Sequence, residues 1–246
     1  GGGPHLLLAA LVAALCHDID HPGYNNTLVV NSRSHLATRY GDEAVLERHH
    51  LYVTLRLLAS PRCPLFAGLS LGAHRRARRV LQRAILATDM AKHADIVAAL
   101  RGAEAPAPGH VLGALPHSDF CLVDAVVHAG DMAGQTLPFE LAAAWGDRCI
   151  EEFTNQVKME ENLGLPVSMF MKGLDSIQQK GRMQADFARF VLRPLWAEMA
   201  RLLPDALPPD VLPRLEAARE LYEGWAALPV ENEEGVTLDS DGQSTS

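Results

Sequence analysis

Seven stretches of this chain repeat apolar residues at intervals of three and four, and no stretch alternates apolar with polar residues in the manner of a half-buried strand. They run Pro4–Cys16, Ala44–Ala59, Gly72–Arg101, Ser118–Ala133, Glu140–Leu163, Asp175–Leu203 and Asp210–Leu228; Val45, Tyr52, Leu55 and Leu58 mark one such stripe. That period gathers apolar side chains on one face of a helix, and each such face must be covered by another helix. Leu and Ala dominate these segments and aromatics make up only 6% of the chain, which favours packed helices over a β-rich fold. Ser118 and Asp210 read as N-caps, while Ser60-Pro61-Arg62-Cys63-Pro64 and Ala105-Pro106-Ala107-Pro108-Gly109 read as loops. The expected fold is all-α. With 246 residues and 48% hydrophobic content, residues 1–228 suffice for one large domain with its own core. Residues 229–246 are polar and poor in large apolar side chains, and are expected to form a disordered acidic tail.

Charge narrows the function classes. The net charge is −8, and Glu231, Glu233, Glu234, Asp239 and Asp241 supply five of those negative charges within the last seventeen residues. Neither part of the chain offers a basic surface for nucleic acid. The four cysteines, Cys16, Cys63, Cys121 and Cys149, show no CxxC pairing, so a disulfide framework or zinc ribbon is not expected and a reducing, intracellular compartment is. The longest apolar run, Leu6 to Cys16, is eleven residues, short of a membrane span, and leads directly into His17-Asp18. It reads as a buried helix. The chain opens without Met almost directly into that helix, as a fragment would.

The chemistry concentrates in Cys16-His17-Asp18-Ile19-Asp20-His21-Pro22-Gly23-Tyr24-Asn25-Asn26. An adjacent His-Asp pair at a helix end offers one imidazole nitrogen and one carboxylate to the same divalent ion. Mixed nitrogen and oxygen ligands suit Zn²⁺, and a shared carboxylate also suits Mg²⁺ or Mn²⁺. His21, one turn on, is placed to orient a ligand. A lone His-Asp pair is common by chance, and a histidine near an apolar helix is more often a hydrogen-bonded core residue. The full HDxDHPGxNN string, with its fixed spacing, is far more specific.

With its further blocks in order, the sequence resembles the cyclic nucleotide phosphodiesterases of class I. Leu36-Ala37 through Tyr40 and Asp42, followed by Leu46-Glu47-Arg48-His49-His50, is similar to the family's "LAxxYND…LENHH" segment. Ile85 to His93 matches "ILATDMxxH" completely. Glu151-Glu152-Phe153, Gln156 and Gly164-Leu165-Pro166 resemble "EEFxxQ…GxP", and Gln184, Phe187 and Pro194-Leu195-Trp196 resemble "QxxF…PLW". The resemblance runs from about Leu6 to Trp225, and "HPGYNNT" and "TDMAKHADI" look closest to the high-affinity, cGMP-selective branch.

The resemblance implies a compact HD-domain phosphodiesterase bundle. In the family, two divalent ions, Zn²⁺ and Mg²⁺, hold a hydroxide that attacks the 3′,5′-cyclic phosphate to give the 5′-monophosphate. By match of motif, His17, Asp18 and Asp131 would be metal ligands, with both aspartates bordering the substrate. His21 and Glu47, then His50, Thr88 and Asp89, would hold waters and ligand orientations. Gln184 would read the purine edge, because its amide carries both a donor and an acceptor. Phe187 and Cys149 would form the two walls of the base clamp. The implied partner is a small cyclic nucleotide, cGMP before cAMP, with regulatory domains outside this chain and a cytoplasmic location.

Three departures bear on activity. Nothing before His17 matches the family's upstream HNxxH block, which supplies the general acid and a further metal ligand; His5 stands alone. The chain as given is therefore expected to be weak or inert, since general acid catalysis is worth about 10²–10⁴-fold. Asp131-Met132-Ala133-Gly134 replaces "DISN", and Met171-Lys172-Gly173 replaces a usual "MDR". Two other readings are another HD-type metal phosphohydrolase, or a catalytically silent domain that binds a nucleotide or a partner helix.

Overall fold

The computed structural model describes residues 3–104, 122–231 and 237–238. Eleven α-helices are seen among these: α1 (Pro4–Cys16), α2 (Asn26–Asn31), α3 (His35–Tyr40), α4 (Val45–Leu58), α5 (Leu71–Leu86), α6 (His93–Arg101), α7 (Leu122–Asp131), α8 (Phe139–Asn162), α9 (Ile177–Asp186), α10 (Arg193–Leu202) and α11 (Val211–Ala226). The only extended pairing among the described residues joins β1 (Val230–Glu231) to β2 (Thr237–Leu238), antiparallel. The molecule is all-α, as the apolar periodicity requires. Of the tail expected to be disordered, residues 232–236 and 239–246 lie outside the described residues, as do Ser118, Cys121 and the Ala105–Gly109 breaker.

Where the periodicity was continuous, two helices turn out to be interrupted. The expected helix over Gly72–Arg101 stops at Leu86; Thr88 returns its hydroxyl to the Ile85 carbonyl (2.8 Å), and Asp89 caps a 3₁₀ turn over Met90–Lys92 by accepting from the Ala91 amide (2.9 Å). A polar pair that satisfies its own backbone competes with the helix ladder. The expected helix over Asp175–Leu203 is broken by a π turn, Phe187–Leu192, between α9 and α10. Helices α2 and α3 fall where no stripe was read. They are six residues each, too short for a periodic signal, and are started by Asn25 and Ser34, whose side chains accept from the Leu28 and Ala37 amides. Asp210 stands at the start of α11 but makes no cap hydrogen bond; its carboxylate pairs with Arg214 instead.

The core lies in two main bodies. One packs Ile96 and Leu100 of α6 and Leu122 and Ala125 of α7 against Leu195, Trp196 and Met199 of α10 and Leu215 of α11. The other packs Ala9, Val12 and Ala13 of α1 against Ala77, Leu81 and Ile85 of α5 and Val127 of α7. Helix α7 contributes to both. Its C-terminal residue, Asp131, is thereby held against the C-terminal end of α1, where His17 and Asp18 begin. No described helix is long and apolar enough to cross a membrane.

Candidate metal centre and nucleotide pocket

His17, Asp18 and Asp131 converge: one ligand atom from each lies within 4.8 Å of the others. His17 donates from Nδ1 to the Ala14 carbonyl (2.8 Å), one turn back on α1, which fixes the ring and turns Nε2 outward. Nε2 lies 3.0 Å from Asp131 Oδ1 and 3.5 Å from Asp18 Oδ2. The hydrogen bond to Asp131 outweighs partial burial and pushes the His17 pKa up to about 9. An imidazole whose second nitrogen is pinned on a backbone carbonyl, facing two carboxylates, is the donor set a divalent transition ion takes. The residues present therefore fit a metal.

Further polar groups stand around this trio, and of these His50 reaches Asp18. His50 is buried on α4, donates from Nδ1 to the Ile19 carbonyl (2.7 Å), and sets Nε2 3.7 Å from Asp18 Oδ1. Burial holds its pKa below the usual histidine range. The His21 ring lies 5.7 Å from that of His50, and its Nδ1 accepts from the Gly23 amide (3.1 Å). Gly23 has φ +77°, the left-handed backbone that lets the chain turn sharply after Pro22. Glu47 accepts from Asn26 Nδ2 with both oxygens (3.2 and 3.0 Å), and Asn26 Oδ1 accepts from the Leu46 amide (3.0 Å). Burial raises the Glu47 pKa against that hydrogen bond, and the charges of Asp89 and Asp18 add to the rise. Thr88 and Asp89 are buried and spend the bonds described above on their own backbone.

Asn25, Asn26 and Gln156 stand inside the motifs, but the sequence alone assigns them no role. Gln156, buried on α8, accepts from the Asn25 amide (2.9 Å) and donates to Asn25 Oδ1 (2.9 Å) and Glu160 Oε1 (2.8 Å). Glu160 also accepts from the Ser168 amide (2.7 Å) and hydroxyl (2.8 Å). Burial opposes its ionisation, yet these donors together hold its pKa below the usual range. The loop that follows the His-Asp pair is thereby tied to α8.

The residues expected to meet the base sit on α8, on α9 and at the start of the π turn. Gln184 is buried, and its amide lies against Gly146 of α8; Cys149 is exposed one turn further along α8, on the same side. Phe187, half-buried, opens the π turn and packs on the main core. Gly134 faces Trp145, whose ring would be 3.3 Å from a Cβ placed there. Lys172 pairs with Glu161 (3.1 Å). Gly146, Gln135 and Trp145 carry no sequence signal for a place beside Gln184 or Gly134. A groove of about 460 Å³ between α1 and α7, lined by Leu7, Leu11, Val126 and Gly130 among others, reaches His17 and Asp131.

Known proteins resemble this chain over most of its length. The probable 3′,5′-cyclic-AMP phosphodiesterase pde-4 of Caenorhabditis elegans is 34% identical over 243 residues, covering 96% of this chain and 35% of that protein. The high affinity cGMP-specific 3′,5′-cyclic phosphodiesterase 9A of Mus musculus is 34% identical over 224 residues, covering 88% and 39%. This chain thus spans little more than a third of the length of these relatives. The phosphodiesterase domain of the RhoPDE fusion protein from the choanoflagellate Salpingoeca rosetta superposes with a TM-score of 0.80 at 30% identity, covering 90% of this chain and 69% of that one. The 3′5′-cyclic nucleotide phosphodiesterase family profile matches residues 4–209, and the chain belongs to that family.

Proposed function

We propose that the protein containing this chain hydrolyses a 3′,5′-cyclic nucleotide, cGMP in preference to cAMP, to the 5′-monophosphate. The observation that carries this reading is the convergence of His17 Nε2, Asp18 and Asp131 at one point, reached by the groove between α1 and α7. His17, Asp18 and Asp131 would hold two divalent ions, Zn²⁺ and Mg²⁺, with Mn²⁺ able to replace the latter. Such ions, when bound, lower the pKa of water and withdraw charge from phosphoryl oxygens.

The chain's own residues do the positioning. The Ala14 carbonyl keeps His17 Nε2 aimed at the centre, and His50 stands behind Asp18. Asn26 orients Glu47, and His21 is held by the Gly23 amide. Gln184 presents a donor and an acceptor to the purine edge, with Phe187 and Cys149 on either face of the base. The group that would protonate the leaving 3′ oxygen, in the family a histidine of the HNxxH block, has no counterpart among residues 1–246. Regulatory domains outside this chain and a cytoplasmic location complete the reading.

The test is hydrolysis of cGMP and cAMP by the natural full-length protein with Zn²⁺ and Mg²⁺, beside Asp18→Ala. Turnover that drops by at least about 10³-fold in Asp18→Ala is expected, as for loss of a group acting in the transition state. A folded, metal-loaded protein that turns over neither nucleotide overturns the proposal and leaves a silent binding domain.

A further inference from the structure

We infer that Gly146 positions the amide of Gln184 and thereby sets the preference between guanine and adenine, an inference that rests on the base-reading role proposed for Gln184. Gly146 lies inside α8, a helix of 24 residues, where glycine is among the least favourable residues. Helix stability does not account for it; the packing does.

A Cβ on Gly146 would stand 2.6 Å from Gln184 Nε2 and 3.4 Å from its Cδ. Non-bonded heavy atoms settle at about 3.5–4.0 Å, so the first of these contacts cannot persist. The Gln184 side chain thus occupies the space that any other residue at 146 would fill. The atom met is the far end of a flexible side chain, so an added methyl group displaces the amide and leaves the α8 backbone where it is.

A second amide shares the recess. Gln135 Nε2 is 3.7 Å from the same point. Gln135 follows Gly134, the position at which this chain lacks the amide of the family's "DISN" pattern. Gly134 is closely faced by Trp145, with Cγ at 3.3 Å and Cδ1 at 3.4 Å from a Cβ built there. Gln135 thus brings a carboxamide to the same point of α8 that Gln184 occupies, one residue after the position where the family pattern has one. Flip decides whether the donor or the acceptor of Gln184 meets a given purine atom. The nearest charges along these helices, Asp147 and Lys180, are paired with each other (3.2 Å), so the selection is assigned to shape and hydrogen-bond direction.

The decisive variant is Gly146→Ala in the natural full-length protein, with Gln184→Ala alongside. Replacing a helical glycine by alanine should raise Tm by about 1–4 °C. If the amide is displaced, KM for the preferred nucleotide should rise about tenfold with kcat within about twofold, since one misplaced hydrogen bond weakens binding by roughly that factor. The cGMP-to-cAMP ratio of kcat/KM should shift by a similar factor. The guanine-to-adenine preference is also read from equilibrium binding of GMP and AMP, which needs no turnover.

A purely structural glycine would move none of these ratios. If Gly146→Ala leaves KM and both ratios unchanged while Gln184→Ala flattens them, the inference about Gly146 is overturned and the role of Gln184 stands. If Gln184→Ala leaves the ratios unchanged, the base-reading role fails and this inference falls with it. Loss of folding in Gly146→Ala would mean that the backbone yields instead of the amide, which also overturns it.

Discussion

Replacing Gln156 by Leu should weaken the fold well beyond the loss of one ordinary hydrogen bond. The side chain is 1% exposed and serves the Asn25 amide, Asn25 Oδ1 and Glu160 Oε1 at 2.9, 2.9 and 2.8 Å, with a longer bond to Ser168 Oγ (3.4 Å). Leucine fills nearly the same volume, so little cavity cost arises. The Asn25 amide loses its acceptor, and Glu160, also 1% exposed, loses one of three donating groups while keeping the Ser168 amide and hydroxyl. The unsatisfied Asn25 amide costs about 1–3 kcal/mol and the lost hydrogen bond to the charged Glu160 about 1.5–3 kcal/mol, so together, less the apolar gain from leucine, they give about 2–4 kcal/mol. For a domain of this size that lowers Tm by roughly 5–15 °C. Thermal unfolding followed by circular dichroism in metal-free buffer measures it. Asn25 caps α2 only seven residues after Asp18, so the variant should also lose part of its stabilisation by added Zn²⁺. A Tm within about 2 °C of the wild type would refute the reasoning, because the network would then be replaceable by water.

Stability of the metal-free chain should fall on both sides of neutrality. His50, His93 and His128 are held below 6.5 by burial, so the unfolded chain binds more protons and stability declines as pH drops below that value. His17 is raised to about 9, so its contribution is complete below 6.5 and is lost as pH climbs through 9; His17→Asn should remove that alkaline limb in a pH series of Tm. Glu160 adds stability above its ordinary 4.5 that disappears as pH falls through its lowered value, and Gln156→Leu should flatten this part of the acid limb. Arg83→Met leaves the buried Asp124 carboxylate without the guanidinium that lies 2.8 and 3.1 Å away, a loss of about 2–3 kcal/mol in urea unfolding given that the arginine is about a third exposed. Zn²⁺ at about 100 times its dissociation constant should stabilise the wild type by about 2.7 kcal/mol and Asp18→Ala by far less, as read by calorimetry.

The apolar stripes made most of the bundle legible. Helices α1, α4, α8 and α11 begin and end within about two residues of where the periodicity places them. The two breaks escaped because apolar spacing continues through them: Ile85 and Ile96 are both core residues, yet Thr88 and Asp89 between them take the backbone out of the helix. Of the site, His17, Asp18 and Asp131 could be named because an ordered set of motifs carries them across 114 residues of chain. Gly146 and Gln135 could not. A glycine within a helix reads as a small defect until the neighbour that fills its space is known, and that neighbour lies on another helix.

The π turn at Phe187–Leu192 acts as a phase shifter. In an α-helix each residue advances the facing direction by about 100°, and the i→i+5 bonding of a π turn accommodates an extra residue without ending the rod. Upstream, α9 can therefore point Gln184 at α8; downstream, α10 can point Leu195, Trp196 and Met199 into a core on a different bearing. A regular α-helix through the same region would offer one bearing for both. Removing a single residue between Phe187 and Leu192 would keep every side chain of the pocket and of the core in the sequence, yet force one of the two sets to miss its target. For this segment, length is as much a part of the specification as residue identity.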